Sequence, residues 1–379
     1  MKPTIHMIAP LSAPELRTRL AKQVGVLTQA GYPVSFSGWE RVRGEAAGAA
    51  AFPLSGRRII LRGGGYGKKT TLLFYPLWWL RVFFHVLFMP RDARLLCLGF
   101  ETAAPALLAS LFSRRRIVFD DADRFSMTFP LPGVLGRIVA RLEQWASQKA
   151  FRHIVPGLER YSWRNAGMVT LRNTPALEDF RGAARLDIAQ ELGIPAADGA
   201  FTIYANGWIG ETRGAPILLA LMKVLQRRGV PVRLLVMGRG DGNAFAELIA
   251  REDVLAFADK PQQIALAAYT ISDLLFTYYD PRIPINRLAA SNKWGDAIYM
   301  GRTFVVNSEV ETAGHFVDRG AAFAVPYRDV EALADLVERL AGDRAQLDRA
   351  INALRDFRED YIPFDQRFED IAATLAAPR

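Results

Sequence analysis

Short, almost wholly apolar runs alternate along the chain with longer stretches whose apolar residues recur every three or four positions. Runs of the first kind read as buried parallel strands, and stretches of the second kind as amphipathic helices. In the N-terminal half this pattern predicts strands at 4–8, 34–37, 57–62, 94–100, 117–119, 153–156 and 169–172. Helices are expected between them at 15–29, 103–112 and 133–151, with a further helix start at 157–164. Leu16, Leu20, Val24 and Leu27 share one face of the first helix, and Gly31 stands where a helix ends. In the C-terminal half, strands at 201–205, 233–237, 253–257, 274–278 and 303–306 alternate with helices at 215–228, 264–270, 330–341, 344–357 and 364–375, with a strand and turn at 314–325. A strand–helix–strand rhythm running twice predicts an α/β protein of two doubly wound domains.

One segment departs from the rhythm. Residues 72–89 are nearly continuously apolar, close to the length of a membrane span, but Pro76, Arg81 and His85 interrupt them. An arginine at mid-bilayer costs about 2.5–3.5 kcal/mol on insertion scales, which argues against spanning. Lys68, Lys69, Arg91 and Arg94 flank the segment, and Trp78 and Trp79 lie within it. A helix lying in the lipid interface accounts for all of these, with Lys68, Lys69, Trp78, Trp79 and Arg81 as membrane contacts. The plainer alternative is a helix buried against its own sheet.

Charge strengthens the membrane reading. Residues 1–175 carry 25 Lys and Arg against 10 Asp and Glu, net +15, and the rest carry 23 against 29, net −6, together the +9 of the whole chain. Such asymmetry calls for an acidic partner of the first half. Basic clusters beside aromatic and apolar segments favour an anionic membrane surface over nucleic acid. At 379 residues, half of them apolar, two ordinary domains need no disulfide support, and the single cysteine, Cys97, sits in an apolar run. A reducing cytoplasm fits, and the first ten residues lack a signal-peptide apolar core. The expected place is the cytoplasmic face of a membrane, peripherally bound.

Candidate chemistry concentrates in three stretches. Lys293 and Asp296 stand three apart at the head of a short helix ending at Gly301, before the strand at 303–306. They share one helix face, where backbone N–H groups and a lysine favour a phosphate and a carboxylate can accept from sugar hydroxyls. A solvated i,i+3 ion pair is the bland alternative. After the strand at 117–119 come Asp120, Asp121 and Asp123. Crowded carboxylates at a strand's carboxyl end can hold one acid as a base. They could equally cap the next helix or pair with Arg124, and Asp121 with Asp123 could form an Asp-x-Asp metal site. Finally, Gly63-Gly64-Gly65-Tyr66-Gly67-Lys68-Lys69-Thr70 imitates a phosphate-binding loop, but Arg62 stands where the first glycine belongs and Lys69 where Ser or Thr belongs. It reads as a basic loop. His85, His153 and His315 are too scattered to support a metal site.

The run Asn292-Lys-Trp-Gly-Asp-Ala-Ile-Tyr-Met-Gly-Arg-Thr-Phe-Val-Val306 resembles the nucleotide-sugar signature of GT-B glycosyltransferases. That resemblance implies two Rossmann-like domains facing a central cleft, with Lys293 on the donor diphosphate and Asp296 on its ribose. It extends the donor site to Ser291 and Asn292, to Gly207 and Arg213 in the loop 206–214, and to Tyr279 as a stacking ring. Many retaining members have a second Glu eight residues before the ribose-binding acid; here that position is Leu288, which implies inversion. The segment 116–126 resembles the acceptor domain of bacterial glucuronosyltransferases that build xanthan on a lipid carrier. In them an Asp after this strand is the base, which points to Asp123, with Asp120 and Asp121 as rivals. The implied domains are 1–175, acceptor-binding and membrane-associated, then 176–360, donor-binding, and 361–379, a helix crossing back to the first. The expected protein is a metal-independent hexosyltransferase with no cofactor beyond its nucleotide-sugar substrate. It would act on a lipid-linked or polysaccharide acceptor in cell-surface glycan or exopolysaccharide synthesis. The alternatives are a sugar-nucleotide epimerase of the same fold and a non-catalytic glycan- or lipid-binding protein.

Overall fold

The computed structural model describes residues 2–46, 52–66, 68–90, 92–113, 115–194 and 199–376. Every strand pairing in it is parallel, as expected where strands are apolar on both faces. The chain divides into two units, residues Met1–Arg172 with Phe364–Arg379, and Asn173–Pro363.

In the first unit β1 (Ile5–Ala9), α1 (Thr18–Gln29), β2 (Val34–Glu40) and β3 (Gly56–Arg62) precede α2 (Lys68–Leu87). β4 (Arg94–Leu98), α3 (Phe100–Ser113), β5 (Ile117–Asp120), α4 (Phe125–Thr128), α5 (Gly133–Lys149), β6 (Arg152–Val155) and β7 (Met168–Thr170) follow. The sheet order is β3-β2-β1-β4-β5-β6-β7, so the winding reverses between β1 and β4. Alternate residues of β1 serve opposite faces: Ile5, Met7 and Ala9 pack with Leu20, Val24 and Leu27 of α1, while Ile8 packs with Val82 and Val86 of α2. Cys97 is buried in that second layer as a small hydrophobe, its thiol pushed up by burial.

The second unit runs through α6 (Leu177–Ala184), α7 (Ile188–Leu192), β8 (Phe201–Trp208), α8 (Ala215–Arg227), β9 (Val232–Arg239), α9 (Gly242–Ile249) and β10 (Val254–Phe257). It continues through α10 (Gln262–Ala267), β11 (Leu274–Thr277), α11 (Pro284–Arg287), α12 (Asn292–Met300) and β12 (Thr303–Asn307). α13 (Gly314–Val317), β13 (Phe323–Val325), α14 (Val330–Gly342) and α15 (Arg344–Arg355) complete it. Its sheet, β10-β9-β8-β11-β12-β13, reverses between β8 and β11 in the same manner. The last helix, α16 (Phe364–Ala376), returns to the first unit, where Phe364, Phe368, Ile371 and Leu375 join the core on α1.

Three local expectations are corrected. The helix start at 157–164 is a single 3-10 turn, Leu158–Arg160, after which the Trp163 Nε1–H donates to Ser147 Oγ at 3.0 Å and holds the chain against α5. The long apolar helix begins earlier than residue 72: Thr71 Oγ1 donates to the Gly65 carbonyl at 3.0 Å, tying the first turn to the glycine loop. That helix is also not uniformly exposed. Trp78 is fully buried, stacked 5.6 Å from Trp39, with its Nε1–H directed at Thr102 Oγ1 at 3.4 Å, so it is a core residue and not a lipid contact. Trp79 is half-buried against Phe100, and Arg81 is exposed. The side chains of Lys68 and Lys69, and Arg91 and Arg114 entirely, lie outside the described residues.

No helix among the described residues is long and apolar enough to cross a membrane. The outer face of α2 nonetheless presents Leu73 (78% exposed), Leu77, Leu80 and Phe84 at helical spacing, and Phe88 (80% exposed) follows directly after its end. α3 packs on α2 and α5 packs on α3, and they add exposed Leu111, Phe112, Val134, Leu135 and Ile138.

Candidate functional site

At the carboxyl edge of the second unit's sheet, β8 ends in a glycine-rich loop leading to α8, and β11 ends in Tyr278 and Tyr279. Gly207 adopts φ 76°, a conformation that L side chains rarely take, and its bare backbone leaves Lys293 Cε 3.9 Å from where a Cβ would stand. Lys293 lies in the first turn of α12, whose other end closes on Gly301 at φ 66°. The Arg213 guanidinium lies 4.8 Å from the centre of the Tyr279 ring, and the Tyr279 hydroxyl donates to Ser291 Oγ at 2.6 Å. Lys293, Arg213, Gly207, Tyr279 and Ser291 therefore come together from three separate chain segments, while Asn292 is exposed beside them.

Burial first, and then the charge of Arg213, push the Lys293 ammonium down to about 8, with Asp296 opposing the shift. The Arg213 charge thus acts on Lys293 as a like-charge repulsion. Asp296 stands at 3.5 Å from the Tyr269 hydroxyl, which also receives the Asn206 Nδ2–H at 3.2 Å. Burial and the Asp296 charge push the Tyr204 and Tyr269 phenols well up, so both stay neutral, and the Tyr204 hydroxyl donates to the Ala265 carbonyl at 2.6 Å. Asn206, Tyr269 and Asn307, whose Oδ1 accepts the Tyr279 N–H at 2.8 Å, were not legible as site residues. Only Asn206, beside the glycine loop, carried a local signal. A hollow of about 540 Å³ opens next to Tyr279, lined by residues including Asp280, Arg282, Glu309 and Tyr327.

In the first unit the acidic triplet after β5 has three distinct environments. Asp120 is fully buried, held by Arg19 Nε and Nη2 at 2.7–3.0 Å and by Gln23 Nε2 at 2.6 Å. It is a structural ion and is withdrawn as a base. Asp121 is buried as well, accepting from the Tyr161 hydroxyl at 2.7 Å with His153 Nε2 at 3.7 Å, while its buried Oδ1 has no hydrogen-bond partner. Asp123 is 55% exposed and pairs with Arg17 at 3.2 Å and Arg160 at 3.5 Å. Asp121 and Asp123 thus have separate partners, and the Asp-x-Asp metal alternative has no convergent pair.

A fourth carboxylate was not legible. Glu101, one residue into α3, folds back over Gly99, where an added Cβ would meet its Oε2 at 2.6 Å. It lies at the strand-order reversal, the place where open α/β sheets gather ligands. Burial and the nearby Asp121 push the Glu101 carboxyl up to about 7, against the pull of Arg17 and Arg41. Nearby, Glu143 is raised by burial and Asp121, and accepts the Ser126 N–H at 3.0 Å.

No family model matches the sequence, and no curated protein matches it. Solved structures match along nearly its whole length. Anabaena HepE in complex with UDP superposes with a TM-score of 0.67 at 12% identity, over 99% of this chain and 99% of that one. The α,α-trehalose 6-phosphate synthase of Burkholderia multivorans gives 0.65 at 11% identity, over 98% of each chain. WaaG, a glycosyltransferase involved in lipopolysaccharide biosynthesis, gives 0.60 at 13% identity, over 99% of this chain and 100% of that one. At such low identity the likeness concerns architecture, and with its seven- and six-stranded parallel sheets the chain has the two-domain GT-B fold of these glycosyltransferases.

Proposed function

We propose that the protein is a glycosyltransferase that moves a sugar from a nucleotide sugar to a hydroxyl of a lipid-linked or polysaccharide acceptor in bacterial cell-surface glycan synthesis. The observation that carries this reading is the pair of cations, Lys293 and Arg213, set beside the bare backbone of Gly207 and the ring of Tyr279. Two cations against a glycine turn suit a diphosphate, and an adjacent aromatic suits a base or sugar ring. Asp296, next to the Tyr269 hydroxyl, is the acceptor for ribose hydroxyls. HepE binds UDP and UDP-glucose, which makes uridine donors the first to try.

In this mechanism an acceptor hydroxyl gives its proton to a carboxylate, its oxygen attacks the anomeric carbon, and the nucleoside diphosphate leaves. Lys293, Arg213 and backbone N–H groups take up the charge that develops on the leaving oxygen, so the protein itself supplies the charge a metal would. Leu288, where retaining relatives carry a Glu, favours inversion. Asp123 is the accessible acid of its triplet, yet two arginines neutralise it. Glu101 is the second reading, favoured by a carboxyl near 7 that can accept a proton at neutral pH and release it again. Peripheral binding at the cytoplasmic face of the inner membrane is supported by the exposed apolar face of α2, α3 and α5 in the basic half of the chain.

The deciding experiment is thermal stabilisation of the wild type and Lys293→Ala by a panel of nucleotides and nucleotide sugars. A donor at 100 times its dissociation constant stabilises the native state by about 2.7 kcal/mol, and the variant should lose that shift. A folded protein silent across the whole panel would sink the donor reading. Product analysis then separates transfer from epimerisation, which returns a free nucleotide sugar.

A further inference from the structure

The glycine loop between β3 and α2 plays no part in the reading above. Gly63, Gly64 and Gly65 run through it with φ of 93°, 93° and 56°. Gly63 N–H donates to the Glu40 carbonyl at 2.8 Å and Gly65 N–H to the Arg41 carbonyl at 3.2 Å, which ties the loop to the end of β2. β2 and β3 are adjacent and parallel, with Glu40 in register with Arg62. Their carboxyl ends frame a hollow of about 620 Å³ lined by Glu40, Arg41, Arg43, Gly44, Arg62 and Gly63.

Three guanidinium groups and one carboxylate line this hollow, and the acids around it are already engaged. Glu40 accepts from Arg62 Nε at 3.0 Å and from the Gly44 N–H at 3.1 Å. Glu45 accepts the Arg41 N–H at 3.2 Å and the Tyr66 hydroxyl at 2.8 Å. Among the described residues neither the Arg41 nor the Arg43 side chain takes part in an ion pair. The Arg41 guanidinium is held on the Trp39 ring at 4.2 Å, with Tyr66 at 5.5 Å and Tyr75 at 5.8 Å, and its buried Nε has no hydrogen-bond partner. A guanidinium fixed by aromatic rings, with its Nε donor unspent, is pre-organised for the oxygens of a phosphate.

The same loop leads straight into α2, and α2 begins its exposed apolar stripe at Leu73, within two turns of its start. We propose that Arg41, Arg43 and Arg62 bind the phosphate or diphosphate head of a lipid whose chain follows the apolar face of α2. As an anion site this stands on the first unit alone. As the seat of the acceptor's phosphate it rests on the glycosyltransferase reading.

The test uses the full chain in a Lys293→Ala background, so that a diphosphate in the second unit does not contribute. Inorganic pyrophosphate is titrated by calorimetry, and polyprenyl diphosphate is offered in phosphatidylcholine vesicles by flotation. Arg41→Gln/Arg43→Gln should weaken both by about tenfold or more, the loss expected from removing charged hydrogen bonds. Arg43→Gln alone, at an exposed position, reports the same direction should the double variant fold poorly. Vesicle-borne diphosphate should bind more tightly than pyrophosphate. Equal affinity would overturn the lipid assignment and leave a site for a free anion. No binding by the starting protein, or binding unchanged in both variants, would overturn the site. In a wild-type background at position 293, nucleotide-sugar binding should be the same with and without the arginine substitutions. Absence of any donor response in the wild type, with pyrophosphate binding intact, would sink the donor reading alone.

Discussion

Arg19 of α1 clamps Asp120 at the end of β5 through Nε and Nη2, while its Nη1 donates to the Leu171 carbonyl at 3.0 Å. One buried guanidinium thus joins the first helix, the fifth strand and the chain just after β7. With Gln23 on the same carboxylate, the clamp takes up both oxygens of the acid that sits earliest in the triplet.

Removing one partner of a buried pair leaves the other charge stranded, at about 3–5 kcal/mol. Asp120→Asn should therefore lower stability to denaturant by that amount, whereas Asp123→Asn, with half its surface in water, should cost about 0–1 kcal/mol. Equal losses for the two would contradict the structural assignment of Asp120.

Lys293 should make donor binding sensitive to alkali. Its ammonium titrates near 8 in the folded chain, against an ordinary 10.5, so nucleotide-sugar affinity should fall as pH rises through about 8. Stability runs the other way: the unfolded chain holds that proton more tightly, so folding gains as pH rises from about 8 to 10.5. Lys293→Arg keeps the charge and should flatten both profiles; isothermal titration and melting across pH would read them.

Glu101 has the opposite sign. Its carboxyl near 7 lies above the ordinary 4.5, so the folded state binds the extra proton between those values. Its contribution is fully present below about 4.5 and is lost as pH rises through 7. Glu101→Gln should remove that slope from melting curves. If Glu101 is also the base, the rate should climb through pH 7 in the wild type and collapse in the variant. A wild-type rate profile flat through pH 7 returns the role to Asp123.

The apolar face of α2 divides its residues by function. Leu73→Ser and Phe88→Ser, at the most exposed positions, should each weaken vesicle flotation by about tenfold or more, since burying such a side chain is worth about 1.5–3 kcal/mol. Neither should shift the melting temperature. Trp78→Ala should instead cost about 3–5 kcal/mol of stability through the cavity it leaves.

Sequence pattern reached the architecture because parallel strands covered on both faces must be apolar runs, and helices between them must be amphipathic. Spacing placed Lys293 and Asp296 together on one short helix, as α12 has them, while their donor role rests on the family resemblance. Tyr269 and Glu101 escaped, since strand order brings them into place across long chain separations with little local trace, and Asn206 had only its place at the head of the glycine loop. Trp78 was misplaced for a related reason. In α2 both faces are apolar, so periodicity cannot say which meets the sheet.

The return of α16 has a consequence for how the protein is made. The second unit is an insertion between Arg172 and Phe364, and the core on α1 stays open until Phe364, Phe368, Ile371 and Leu375 have been synthesised. The part of the chain that emerges first from the ribosome is therefore the part that closes last, with the later-made unit free to fold while the earlier one waits.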